Sequence, residues 1–171
     1  MKEPGRTDTQ KSYMWLARGG PPDAPLVYYK YHPTRNAGYI REFLNGYSGF
    51  LQTDGYAAYD SALKDNELIV HVGCMAHLRR KFHEAAKGSK KAGGPHIGLS
   101  KIQKIYRAED ELRALNMDDE LFLKAREKKV KPLLEDFKLW LDKKALQVRP
   151  SSAFGRAISE SVNKVFAPIG I

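Results

Sequence analysis

The sequence predicts an α/β segment followed by an all-helical segment. Three observations predict it. Short runs of large apolar and β-branched residues, separated by glycine- and proline-rich turns, lie between residues 12 and 72. From Met75 onward the apolar spacing changes to that of helices. Residues 88–98 hold four glycines and one proline, the composition of a linker, so the expected division is 1–88, a linker at 89–98, and 99–171.

Each element has its own signal. Residues 12–18, Ser-Tyr-Met-Trp-Leu-Ala-Arg, read as a strand, Gly19 to Pro25 as a turn cluster, and Leu26 to Tyr31 as the returning strand of a hairpin. Ile40, Phe43, Leu44 and Tyr47 fall on one face of a helix that Gly46 and Gly49 punctuate. Gly49 to Asp54 is a third strand, 56–63 a short helix, and Leu68 to Val72 a fourth strand with β-branched Ile69, Val70 and Val72. Met75, Leu78, Phe82 and Ala85 form a helical stripe, with Gly88 as a left-handed cap. Ile102, Ile105, Tyr106, Leu112 and Leu115 fit the next helix. Asp118 or Asp119 starts another, with Leu121, Phe122, Ala125, Leu133, Leu134, Phe137 and Leu141 inward and a kink or restart at Pro132. Pro150-Ser151-Ser152 opens a last helix through Ala157, Ile158, Val162, Val165 and Phe166.

Composition bounds the function. A chain of 171 residues with 42% hydrophobic content supports one domain with a real core and a helical appendage. The start, Met1-Lys2-Glu3-Pro4-Gly5-Arg6, has no apolar core region of a signal peptide, and no apolar run reaches the ~18 residues that span a membrane. No membrane partner is expected. The one cysteine, Cys74, leaves no internal disulfide and fits a reducing cytoplasm. Lys and Arg outnumber Asp and Glu by 29 to 20, a net charge of +9 that points to a polyanionic partner. The excess is clustered. Arg79, Arg80, Lys81, Lys87, Lys90 and Lys91 face Glu84 alone, and Lys124, Arg126, Lys128, Lys129 and Lys131 face Glu127 alone. Each cluster reads either as a solvated helix face or as a phosphate-binding one.

Few residues carry chemistry. Asp54 follows a strand and precedes a glycine, at the rim where open sheets place ligands, and its hard oxygens suit Mg2+ or Mn2+. Residue chemistry alone favours a plainer role, the N-cap of the following helix. His71, Cys74 and His77 have a zinc-like spacing but no second ligand pair, so a buried cysteine and a polar histidine at a strand-to-helix junction fit better. Arg79, Arg80 and Lys81 point away from the apolar stripe, either for solubility or to grip phosphate.

The runs Glu3-Pro4-Gly5-Arg6, Lys11-Ser12-Tyr13-Met14-Trp15, Tyr31-His32-Pro33-Thr34-Arg35, Gly49 to Tyr56 and Gly73 to Phe82 together resemble the insertion-sequence-66 type of bacterial transposase. The match covers most of the chain and is most specific from 49 to 82. Pro132-Leu133-Leu134 and Trp140-Leu141 resemble that family's helical insertion. The resemblance implies a ribonuclease-H-like mixed sheet followed by an all-helical insertion, with three acids holding two divalent ions for DNA strand cleavage and transfer. It makes Asp54 the second of these acids, a catalytic and metal-binding residue. Cys74 and His77 become a Cys-x-x-His signature near the site, and Arg79, Arg80 and Lys81 become DNA-binding residues. The first acid is expected upstream of Met1 and the third beyond Ile171, with neither Asp8 nor Glu160 a substitute. The chain then reads as a central part of the catalytic domain, inactive alone, lacking the central first strand of its sheet and left with two half-sheets. The hairpin 12–31 is expected to be antiparallel and the strands near 50 and 70 parallel. The expected cofactor is Mg2+ or Mn2+, bound weakly. The expected partners are DNA (transposon ends and target) and a second copy through exposed strand edges, with no small-molecule cofactor, in a nucleoid-associated bacterial setting. The alternative is a non-catalytic DNA-binding module that uses both basic clusters.

Overall fold

The computed structural model describes residues 5, 7, 10–21, 23–88 and 91–166. The matched residues Glu3, Pro4 and Arg6, together with Asp8, Lys90 and everything beyond Phe166, lie outside the described residues. The chain is a mixed α/β protein with two small sheets, each two-stranded among the described residues. It divides into two compact units.

The first unit is drawn from residues 1–48 and 56–68. Strands β1 (Tyr13–Gly19) and β2 (Leu26–His32) pair antiparallel, from Tyr13 opposite His32 to Gly19 opposite Leu26. Helix α1 (Ala37–Phe43) is capped by the Asn36 side chain, which accepts from the Tyr39 N–H at 2.9 Å. The later helix of this unit, α2 (Ala57–Leu63), packs on α1. Alternation on β1 decides which side chains join this small core: Trp15 turns inward, 5.0 Å from the Tyr39 ring and 6.2 Å from Tyr59. Met14, Leu16, Tyr29 and Tyr31, cross-strand neighbours on the other face, stay exposed. Helix α1 ends before Tyr47, earlier than its apolar spacing suggests. The chain turns at Gly46 with φ +76°, which leaves Phe43 and Tyr47 exposed.

The second unit comprises 49–55 and the chain from Ile69 onward. Strands β3 (Gly49–Thr53) and β4 (Ile69–Gly73) pair parallel, Gly49 opposite Ile69 and Thr53 opposite Gly73. Helices α3 (Met75–Lys87), α4 (Gly94–Arg113), α5 (Asp119–Lys129), α6 (Lys131–Ala145) and α7 (Ala153–Glu160) follow, and α7 runs on into a π-helical turn, Ser161–Phe166. The stripe read from the sequence, Leu78 and Phe82, is buried with Ile102, Ile105, Phe137, Leu141, Ile158 and Phe166 in one core. Gly98 lets α4 lie against α3: a Cβ there would stand 2.3 Å from the Phe82 ring.

Several expectations need correction. Helix α4 begins at Gly94, so residues 94–98 are helical rather than linker; Pro95 sits in the first turn, where an amide proton has no intrahelical acceptor. Gly88 is right-handed (φ −76°), its N–H reaching back to the Glu84 carbonyl, and is no left-handed cap. Leu115 falls beyond α4 and is exposed, and Leu121 is exposed in the first turn of α5, where Asp118 caps its N–H. Pro132 does restart the helix, with buried Val130 as the joint between α5 and α6. The compact units do not divide at 88–98. The parallel pair β3–β4 leads straight into α3, whose apolar face is buried among the later helices, so both strands cluster with them.

Candidate functional site

The parallel register brings two loop starts together. Thr53 and Gly73 are partners at the carboxyl ends of β3 and β4, so Asp54 and Cys74 leave the sheet side by side. The Cys74 N–H donates to the Thr53 carbonyl at 2.9 Å, extending the ladder by one residue. Cys74 then holds the N-cap position of α3 in extended conformation, without a side-chain cap bond. The N-cap of α2 is Tyr56, not Asp54, so the capping role that residue chemistry favoured for Asp54 is not the one it has. Ligands of open α/β sheets bind at this end of the strands.

The π-helical turn closes the far side. The Ser161 hydroxyl donates to the Ala157 carbonyl at 2.6 Å, a contact that competes with the helical ladder where α7 widens. The turn carries Lys164 and Val165 onto β4, where a Cβ on Gly73 would meet the Lys164 carbonyl oxygen at 2.5 Å. Only glycine fits there. Gly73→Ala is expected to push the turn off the strand end and destabilise the chain by about 1–3 kcal/mol, about 3–10 °C in Tm, measurable by thermal unfolding.

Asp54, Gly55, Cys74, His77, Glu160 and Lys164 line the resulting notch. The Glu160 carboxylate is its electrostatic centre. One oxygen lies 3.2 Å from His77 Nε2, and the other lies 3.6 Å from Lys81 Nζ. A Cβ on Gly55 would stand 3.3 Å from Glu160 Oε1, which sets this carboxylate against the backbone beside Asp54. The sequence pattern did not single out Glu160 as part of the site. His71 points elsewhere, with its Nε2 2.7 Å from the Thr53 hydroxyl oxygen, so His71, Cys74 and His77 do not converge. Behind α3, burial pushes the Tyr106 phenol above its ordinary pKa; Cys74 adds to the rise and Arg79 opposes it.

The two basic clusters have different environments. Arg79 and Arg80 are exposed on α3, and neither is ion-paired among the described residues. Lys81, by contrast, is half-buried and engaged with Glu160, so it does not share their free face. The second cluster is largely neutralised: Lys124 pairs with Glu120, Arg126 with Glu109, Lys129 with Glu111 and Lys131 with Glu127. The Lys129 hydrogen bond holds the Glu111 carboxyl below its ordinary pKa.

Hard divalent ions need several oxygen donors. Among the described residues no group of three or more His, Cys, Asp or Glu side chains is arranged to hold a metal ion. Asp54 stands near one further carboxylate, Glu160, and that one is engaged by His77 and Lys81. The donors among the described residues do not fit a complete Mg2+ or Mn2+ centre. No helix among the described residues is long and apolar enough to cross a membrane.

A family model described as Transposase IS66 family matches residues 1–165. Three proteins of Sinorhizobium fredii (strain NBRC 101917 / NGR234) are similar to the chain. Uncharacterized protein y4qI is 32% identical over 94% of this chain and 31% of its own length. Uncharacterized protein y4jD is 28% identical over 91% of this chain and 32% of its own, and uncharacterized protein y4hP is 29% identical over 78% and 26%. The chain thus spans about a third of the length of these relatives. No solved structure matches it.

Proposed function

The chain belongs to the IS66 family of transposases, and from that premise we propose that it is the DNA-handling segment of a DDE-type transposase, with Asp54 as one acid of the catalytic centre. One observation carries the proposal. Asp54 and Cys74 emerge side by side at the carboxyl ends of two parallel strands, and the helix that starts there presents Arg79 and Arg80 to solvent, neither ion-paired among the described residues. An exposed guanidinium fork matches phosphate geometry, and a strand-end acid within a turn or two of it is suited to act on the bound backbone.

The two sheets support a ribonuclease-H-like reading. An antiparallel hairpin is followed by a parallel pair, the pairing expected of two half-sheets that a central strand would join. The reading of 1–88 as a core fragment, with a helical insertion from α4 onward, belongs to the same proposal, as do nucleoid association and self-association through exposed strand edges. In such a centre Mg2+ or Mn2+ supplies Lewis acidity and activates the attacking oxygen. Among the described residues the donors of such a centre are incomplete, and in this reading the segment alone binds DNA without cutting it.

The test is incubation of the purified chain with duplex DNA and Mg2+. Binding at low salt without cleavage is expected. Cleavage that Asp54→Ala abolishes would overturn the inactive part, and absence of binding at any salt would overturn the DNA-handling part. The incomplete donor set favours a second reading, a non-catalytic DNA-binding module. The two separate on Mg2+ titration: weak binding lost in Asp54→Asn supports the catalytic assignment, and no difference supports the module.

A further inference from the structure

We infer that His77 and Lys81 form a phosphate-binding position which the Glu160 carboxylate occupies from within the chain, making Glu160 an internal competitor that a DNA backbone phosphate displaces. The inference deepens the DNA-handling reading and rests on it for the identity of the anion.

The geometry is that of an anion held by its two oxygens. Oε1 of Glu160 faces His77 Nε2 at 3.2 Å, and Oε2 faces Lys81 Nζ at 3.6 Å. Two non-bridging oxygens of a phosphodiester can take the same two donors. His77 and Lys81 are four residues apart on α3, so both project from one face over the same spot. The spot adjoins the strand-end notch, and Arg80 flanks it three residues from His77, while Arg79 lies on the other side of α3.

Exposure makes the carboxylate displaceable. Both pairs are partly open to water, with Lys81 39% exposed and Glu160 23%. Pairs of that kind are weak and salt-sensitive. A DNA strand held at Arg80, three residues from His77 on α3, brings a further phosphate at high effective concentration that can replace the carboxylate.

The experiment measures binding of a short duplex DNA by anisotropy across a salt series, using the full chain. Glu160→Gln is expected to tighten binding about tenfold at low salt and to steepen the salt slope by about 0.9, the value for one neutralised phosphate. Removing a charge anywhere raises affinity somewhat, so Glu84→Gln, an exposed acid on α3, is the control and should gain less. Adding Lys81→Ala to Glu160→Gln should abolish the gain, because both changes act on the same bound phosphate. A Glu160→Gln gain no larger than that of Glu84→Gln, or one that survives Lys81→Ala, would overturn the inference while leaving the DNA reading in place. If neither the parent nor Glu160→Gln binds DNA, the DNA reading fails, and inorganic phosphate becomes the probe. His77 ring resonances that shift with phosphate in Glu160→Gln and not in the parent uphold the site; unmoved resonances overturn it. Glu160→Ala gives the same readout should the glutamine variant fail to fold.

Discussion

Replacing Phe82 with alanine is expected to lower stability by about 3–5 kcal/mol, the range for emptying a fully buried aromatic site, with Tm falling by about 10 °C or more. The ring is fully buried and stands 6.0 Å from Phe137, 6.0 Å from Phe154 and 6.3 Å from Trp140, so it is where α3, α6 and α7 meet. Gly98 of α4 closes over it at a distance no Cβ could occupy, so the void cannot be filled from that side by small adjustments of side chains. A loss of that size is a large share of the ~5–15 kcal/mol that holds a typical domain together. Leucine at the same position should recover part of it. Chemical denaturation checks both values, and a loss under about 1 kcal/mol for alanine would mean that the ring is not packed as described. The consequence reaches the site, because Phe82 adjoins Lys81 on α3 and lies within two turns of His77. A loosened α3 moves His77 and Lys81 relative to Glu160, so DNA affinity should fall along with Tm in this variant.

Most of the fold was legible because local chemistry and tertiary packing agree. Trp15 and Ala17 alternate with Met14 and Leu16 as a half-buried strand should, and the hairpin itself was marked by its Gly- and Pro-rich turn. The parallel pairing of β3 and β4 followed from the family resemblance, since alternation cannot distinguish parallel from antiparallel. Where the reading failed, a local signal had been extended past its reach. Leu115 and Leu121 are apolar at roughly helical spacing, but one lies past the end of α4 and the other in the capped first turn of α5, where the core does not extend. The glycines of 88–98 suggested a linker. Two of them, Gly94 and Gly98, are instead packed directly against the rings of Phe154 and Phe82, a role visible only once the partner aromatic is in place.

The site was legible by halves. Asp54, Cys74 and His77 stand close in the sequence to the ends of two strands, and the parallel register alone brings them together. Glu160 comes from a helix that reaches α3 through the core, and no short-range pattern connects it to His77. The second basic cluster failed in the opposite way. Its lysines and arginine look free when counted within 124–131, and Glu109 and Glu111, which pair with Arg126 and Lys129, lie on another helix.

Charge reversal at Arg79 and Arg80 together is therefore expected to weaken duplex DNA binding by about 100-fold at low salt and to flatten the salt slope by about two, roughly one for each phosphate no longer neutralised. The equivalent change in the second cluster, Lys129→Glu, alters net charge by the same amount per residue but breaks an ion pair with Glu111 rather than a grip on DNA. It should cost affinity only through the long-range field, and that cost should vanish by about 0.15 M salt, where the Debye length is about 8 Å. The comparison separates a bound phosphate from a general preference of a +9 protein for polyanions. Equal losses for the two sets at every salt concentration would assign the affinity to net charge alone and remove α3 from the interface. A loss confined to Arg79 and Arg80, with the slope change, would instead fix the DNA backbone along the helix that begins beside Asp54. His77 stands three residues from Arg80 on α3, so the order of binding becomes a measurable property: the arginines bind first, and the Glu160-held position opens second.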